Sequence, residues 1–325
     1  MILVKTTIDG TLHRVSNEVL SLDHLWYPYV ISISNPMMSL PTDHGGWCRM
    51  TAGDIVFAPK LFDDDWPPPK TIDVEIDYTA TTEAAATTII SGTAIRREID
   101  YKSVTYTLKQ PDYDETVSDG TVYNDTLNNV MTTILTGISE ISTVNTSNAR
   151  ATSPSVNFTT SGDQLNIELA SKIVSSYTHL FYIDGSTAYL VDMKSYVDTH
   201  DLTEYQFFPP KYWDKEPIAS VKEITTGNDY TRFSSYPQGV EMTVDVYHST
   251  EANINTALDD IITIENRVRC SVRIPMAEAI PSPGDRIRFN DTRTRNDLSV
   301  NIRARVFRYD LNRGMINVEG EGWIT

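Results

Sequence analysis

Apolar and polar residues alternate with period two over long parts of the chain, the pattern of strands with one buried face. Ile72, Val74, Ile76 and Tyr78 alternate with Thr71, Asp73, Glu75 and Asp77. Val240, Met242, Val244 and Val246 alternate with Glu241, Thr243 and Asp245. Val268, Cys270, Val272 and Ile274 point inward in the same way, with Arg267, Arg269 and Arg273 outward. Gly53–Phe57 reads as a turn feeding a strand, and so does Asp285–Phe289 after Pro281-Ser282-Pro283-Gly284. Two hairpins are predicted, 93–99 with 103–108 turning at Asp100-Tyr101-Lys102, and 302–309 with 315–318 turning at 310–314. In the second, Arg303 and Arg305 face away from Ile302, Ala304 and Val306.

Three stretches switch to helical spacing. Leu127, Val130, Met131, Ile134 and Leu135 predict a helix over 123–138. Leu165, Leu169, Ile173 and Val174 predict one over 163–178, with Asp163 as N-cap. Ile254, Leu258, Ile261 and Ile262 predict one over 250–265. The Ser-, Thr- and Asn-rich 139–162 reads as a loop, and 179–183 with 188–193 as a hairpin at Asp184-Gly185. The expected fold class is α+β, mostly β. A β-barrel at 1–110 and a second, with one helix, at 201–325 flank a small α+β module at 111–200.

A weak internal repeat bears on that division. Gly53-Asp54-Ile55-Val56-Phe57 echoes 284–289, and Ala94–Asp100 echoes Ala304–Asp310. Two related barrels would produce such echoes. Gly-Asp turns are common, so coincidence would too.

The chain has 325 residues and a formal net charge of −17. That balance argues against wrapping nucleic acid or docking on an anionic membrane, both of which need basic surface. The charge is uneven: −5 over 1–110, −16 over 111–265 and +4 over 266–325, where all eleven basic residues are arginines. Arginine is favoured at interfaces, whereas solubilising surfaces mix in lysine. The arginines fall largely on one sheet face, open to nucleic acid or to an acidic protein face; overall acidity favours the second.

Two cysteines, Cys48 and Cys270, rule out a disulfide scaffold or a four-cysteine cluster supplied by this chain, and two free buried thiols are expected. Lys5, Asp9, Arg14, Glu18 and Asp23 interrupt the start, so no signal peptide is expected. No apolar run is long enough to span a membrane.

Catalytic signatures are sparse. His13, His24, His44, His179, His200 and His248 show no helical zinc spacing, and no nucleophile elbow, phosphate loop or dinucleotide fingerprint occurs. Cys48 after Gly45-Gly46-Trp47 suggests a thiol nucleophile only loosely, and a structural cysteine is the plainer reading. Asp63-Asp64-Asp65 admits a hard-cation site or a solvated acidic loop. Trp66 before Pro67-Pro68-Pro69 admits a partner anchor or a rigid connector with the indole tucked away. No metal or cofactor is expected.

Pro283–Phe289, then Arg303–Asp310 and the closing Val318-Glu319-Gly320-Glu321-Gly322, resemble the C-terminal barrel of tail hub (baseplate hub) proteins of tailed bacteriophages and prophages. Asn228–Gly239 is similar to the family's lead-in to that barrel, and 180–193 to its middle module. No cysteine cluster of the kind some relatives carry is present, nor a recognisable lysozyme or peptidase. The resemblance implies two tube-like barrels per chain and a homotrimeric ring that adapts a sixfold tail tube to a threefold tip. It implies a channel for DNA in transit, and tail tube or distal tail, tail tip or fibre, and tape measure proteins as partners. It places the protein in the virion tail, assembled in the host cytoplasm, without membrane insertion and without enzymatic activity. The expected subunit interface sets Arg267, Arg269, Arg273, Arg286, Arg288, Arg303 and Arg305 against Asp73, Glu75, Asp77, Glu241 and Asp245. The alternatives are a carbohydrate-active tail enzyme and a host-receptor-binding module.

Overall fold

The computed structural model describes residues 1–324 except 23, 43, 52, 80, 110–112, 195–198, 204–205, 225–229, 248–249 and 292–297, and the backbone alone at 290–291, 298–306, 312 and 322–324. Strands dominate, with helices α1 (Leu127–Thr136), α2 (Asn166–Ser176) and α3 (Glu251–Glu265). The lead-in motif at 228–229 lies outside the described residues.

The first sheet has seven strands in the order Thr11–Ser16, Ile2–Ile8, Thr71–Tyr78, Thr87–Ile99, Val104–Leu108, Asp54–Phe57 and Val30–Ile33. The Ser16 N–H donates to Tyr27 O at 2.8 Å and the Tyr27 N–H to Arg14 O at 3.1 Å. These bonds bring the stretch leading into Val30–Ile33 back against the opposite edge, curling the sheet toward a barrel. The second sheet runs Thr199–Leu202, Arg286–Asp291, Leu298–Asp310, Met315–Ile324, Arg269–Pro275 and Lys211–Trp213.

Each sheet contains the same four-strand unit. In chain order the strands are Asp54–Phe57, Thr71–Tyr78, Thr87–Ile99 and Val104–Leu108 in one, and Arg269–Pro275, Arg286–Asp291, Leu298–Asp310 and Met315–Ile324 in the other. In both, the second, third and fourth strands are successive antiparallel neighbours, and the first pairs with the outer side of the fourth. The third strand is 13 residues long in each and carries a register shift against the fourth, between Arg96 and Glu98 in one and between Ala304 and Val306 in the other. The Ala94 and Ala304 echo therefore joins equivalent strands. The Gly-Asp echo does not: 53–57 is a first strand and 284–289 leads into a second, a local turn preference shared by unrelated positions.

The two sheets bury their apolar faces in one continuous core, which runs from Val4, Phe57 and Tyr106 to Ile274, Phe289, Phe307 and Ile316. Phe57, Phe62 and Tyr106 pack with ring centroids 5.9–6.1 Å apart. A strap from the first segment ties the parts together. Met37–Ser39 pairs with the long strand of the second sheet through Met38 and Phe307. It folds back on Arg49–Thr51. Near the tip of the strap, Gly46–Trp47 adds in parallel to His179–Asp184 of the middle module. Gly45 has φ +146°, and a Cβ there would lie 2.1 Å from the His179 carbonyl oxygen. The close approach requires glycine.

The middle module differs from expectation in its polar stretches. Val122–Thr126 is a strand paired with Ser155–Thr159, so α1 starts at Leu127. Thr143–Asn148 pairs in parallel with Thr187–Asp192, so 139–162 contains strands, because Thr and Val accept an extended backbone once a neighbour offers a ladder. Asp163 is not the cap of α2; its carboxylate accepts the Asp119 N–H at 3.0 Å, and the helix starts after Leu165. Val240–Val244 lies in a separate three-stranded sheet with Ile218–Glu223 and Thr231–Phe233, under α3.

A polar joint holds the middle module to α3. Arg150 pairs with Asp192 at 3.2 Å and with Asp260 of α3 at 3.4 Å, and Lys194 also pairs with Asp260. Beneath it, buried His179 accepts the Arg150 N–H through Nε2 at 3.3 Å and lies 2.8 Å from Tyr177 O through Nδ1. Burial lowers its pKa from 6.5 to about 4.

Two outcomes follow. Gly45→Ala forces the strap off the middle module and should cost about 3 kcal/mol in denaturant unfolding. Because the folded chain resists a proton on His179 that the unfolded chain accepts, that stabilisation is complete above about pH 6.5 and is lost as pH falls toward 4. Unfolding free energy should drop by up to about 3 kcal/mol across that window, and His179→Gln should flatten the drop.

Candidate functional site

Several arginines in and next to the second sheet pair with acids of the same chain. Arg267 binds Glu321 at 2.8 Å, and Glu321 is fully buried. Arg269, expected to face out, is 5% exposed, with Glu265 at 3.7 Å and the Ile264 carbonyl at 3.4 Å. Arg269 is buried against the end of α3, Cys270 on the opposite face lies in the barrel core, and Val268, just before them, is exposed. Arg273 pairs with Asp310 at 3.5 Å and lies over the Phe208 ring at 5.7 Å. Arg288 pairs with Asp201 at 2.6 Å, with both side chains about half exposed. The Arg286 Nε–H donates to the Thr199 hydroxyl at 3.2 Å. Arg308 pairs with Glu319. Arg303 is opposite Arg286 and Glu321 in the ladder, and Arg305 occupies the register shift; their side chains lie outside the described residues.

The acidic partners also divide by burial. Asp77, expected on the outer face, is 1% exposed and shares Lys5 Nζ with Glu75, each at 2.7 Å. Lys5 lies across the ladder from Glu75, which brings the ammonium between the two carboxylates. Asp73 accepts the Thr93 hydroxyl proton at 3.0 Å. Glu241 and Asp245 are exposed on the small sheet under α3, apart from the first barrel. Three positions of the expected acidic set thus share one strand, and two sit elsewhere.

Of the other candidates, Trp66 stands 56% exposed, so its indole is not tucked away. Asp63 pairs with Lys60, and among the described residues no group of three metal-ligating side chains gathers there or elsewhere. Cys48 and Cys270 are both buried thiols outside any disulfide, and burial pushes the Cys48 thiol well up, out of nucleophile range. His44 and Glu265 form a buried pair at 2.8 Å between strap and helix, and His200 meets Asp285 at 2.9 Å. The strap and its joints escaped sequence reasoning. The Gly45-Gly46 pair was the available signal, because adjacent glycines mark close backbone approach.

No protein-family model matches this chain, and no curated protein matches it in sequence. Solved structures match along its length. It is similar to a tail protein from Neisseria meningitidis MC58, with TM-score 0.59 and 9% identity over 98% of this chain and 96% of that one. The prophage MuSo2 43 kDa tail protein from Shewanella oneidensis gives TM-score 0.56 and 9% identity over the same shares. An E. coli type VI secretion component, described as structurally similar to the T4 bacteriophage tail proteins gp27 and gp5, gives TM-score 0.53 and 10% identity, over 98% of this chain and 77% of that one. Together with the duplicated four-strand unit, these likenesses show that the chain has the fold of phage and prophage tail proteins.

Proposed function

We propose that the chain is a structural subunit of a phage tail or baseplate, a hub in which three copies form a ring. The duplicated four-strand unit carries this reading. Three chains with two such units each present six similar elements to a sixfold tube, while their remaining parts repeat three times. One face meets the tail tube or distal tail protein and the other the tip or fibre proteins, with the tape measure protein and DNA in transit through the centre. An overall charge of −17 suits a passage that DNA crosses without sticking. The protein belongs to the virion tail, is assembled in the host cytoplasm and acts without catalysis.

Burial selects which charges are available between subunits. Arg267, Arg269 and Asp77 are committed inside their own chain, where breaking a buried pair is costly. Arg286 and Arg288 are the arginines whose partners are easiest to exchange, since an exposed pair such as Arg288–Asp201 contributes at most about 1 kcal/mol. Together with Arg273, Arg303 and Arg305 they face Asp73, Glu75, Glu241 or Asp245 of the next subunit. Exposed Trp66 anchors a neighbouring tail protein.

Mass measurement in solution with imaging tests the ring: three subunits around a hole are expected, and a monomer at every concentration and on every tail preparation overturns the proposal. Arg286→Glu with Arg288→Glu should raise the trimer dissociation constant at least about tenfold at physiological salt. Trp66→Ala should leave the ring mass unchanged and weaken capture of the neighbouring tail component at least about tenfold.

A further inference from the structure

A link joins the first and second strands of each four-strand unit, 58–70 in one and 276–285 in the other. The second link is folded inward. Met276 and Ala279 are buried, and buried Asp285 accepts the Ser282 N–H at 2.8 Å and meets His200 at 2.9 Å. The first link instead turns a tryptophan outward. Before Trp66, Phe62 is fully buried against Phe57 and Tyr106. After it, the Tyr106 hydroxyl donates to Pro69 O at 2.7 Å, the Arg96 N–H donates to Lys70 O at 2.9 Å, and the Arg96 guanidinium donates to Pro68 O. Both ends of the loop are fixed, and Trp66 stands exposed between them. A ring held in this way loses little freedom on binding.

Elsewhere the chain lays its own cations over aromatic rings, Lys102 over Tyr101 at 5.0 Å, Arg49 over Trp47 at 5.2 Å and Arg273 over Phe208 at 5.7 Å. Arg273 also pairs with Asp310 at 3.5 Å, so one guanidinium serves a ring and a carboxylate together. The Trp66 loop has the ring and the carboxylates without the cation. Asp64 and Asp65 directly precede Trp66. Lys60 pairs with Asp63, and among the described residues no cation lies over Trp66 or forms an ion pair with Asp64 or Asp65.

We propose that the Trp66 loop holds an arginine side chain of a partner protein, with the guanidinium stacked on the indole and its charge met by Asp64 and Asp65. This rests on the reading of Trp66 as an anchor and gives the partner's chemistry. Arginine fits better than lysine, because its planar, weakly hydrated guanidinium stacks on an aromatic face and still donates hydrogen bonds at its edge. The arrangement at Phe208, Arg273 and Asp310 is the same set of three groups supplied by one chain. Since the link at 276–285 carries no counterpart, each chain offers this site once although it carries two units.

Indole N–H resonances of the full chain test it, with that of Trp66 assigned by its loss in Trp66→Phe. The probes are a blocked Gly-Arg-Gly-Arg-Gly peptide and the same peptide with citrulline, the uncharged analogue, in place of arginine. At physiological salt the arginine peptide should shift the Trp66 resonance, and the citrulline peptide should bind at least about tenfold more weakly. Asp64→Asn with Asp65→Asn should raise the dissociation constant read at Trp66 at least about fivefold. The other indole resonances should stay in place and report an intact fold. No shift at Trp66, equal binding of both peptides, or unchanged binding in the double variant overturns the proposal. A Trp66 shift that grows with protein concentration alone also overturns it, by assigning the site to a second copy. Loss of tail-component capture in Trp66→Ala but not in the double variant overturns the arginine assignment and leaves the anchor. Full capture by Trp66→Ala overturns the anchor and, with it, this proposal.

Discussion

Two curved sheets, each apolar on one face, bury those faces in a single core, and the rest of the molecule depends on this burial. Phe57, Phe62 and Tyr106 from one side and Phe289, Phe307 and Ile316 from the other belong to the same apolar cluster. Apolar area removed from water is the main favourable term in folding, so the sheets are held to one another as firmly as each is held together. The spatial relation between the duplicated units is therefore set within the chain itself.

Polar joints then orient what the core does not reach. The strap brings His44 to Glu265, while Arg150 and Lys194 converge on Asp260. Such pairs contribute less to net stability than their number suggests, because each charge loses water on burial. They fix geometry, since a displaced partner leaves an uncompensated charge. Exposed pairs such as Arg288–Asp201 have no such hold and are free to exchange at an interface.

The duplication links fold to role. Identical strand order recurs on two backgrounds, and the proposed threefold hub would use that recurrence to meet a sixfold partner. The last strand has ten residues in one unit and five in the other.

Much of this was legible in the sequence. Period-two alternation determined the strands at 71–78, 104–108, 269–275 and 286–291, the helical spacing determined the core of α1, α2 and α3, and the Ala94 and Ala304 echo marked equivalent strands. These signals are local: a side chain's face follows from its position in a strand or helix. The polar strands at 143–148 and 155–159, the burial of Arg269 and Asp77, and the strap were decided only by the tertiary structure. A Thr- and Asn-rich segment becomes a strand when a neighbour pairs with it, and a charged residue is buried when the fold packs over it and supplies a partner, as Lys5 does for Asp77 and the end of α3 for Arg269. Neither condition is written in the residues themselves, because each depends on contacts between positions far apart in the chain.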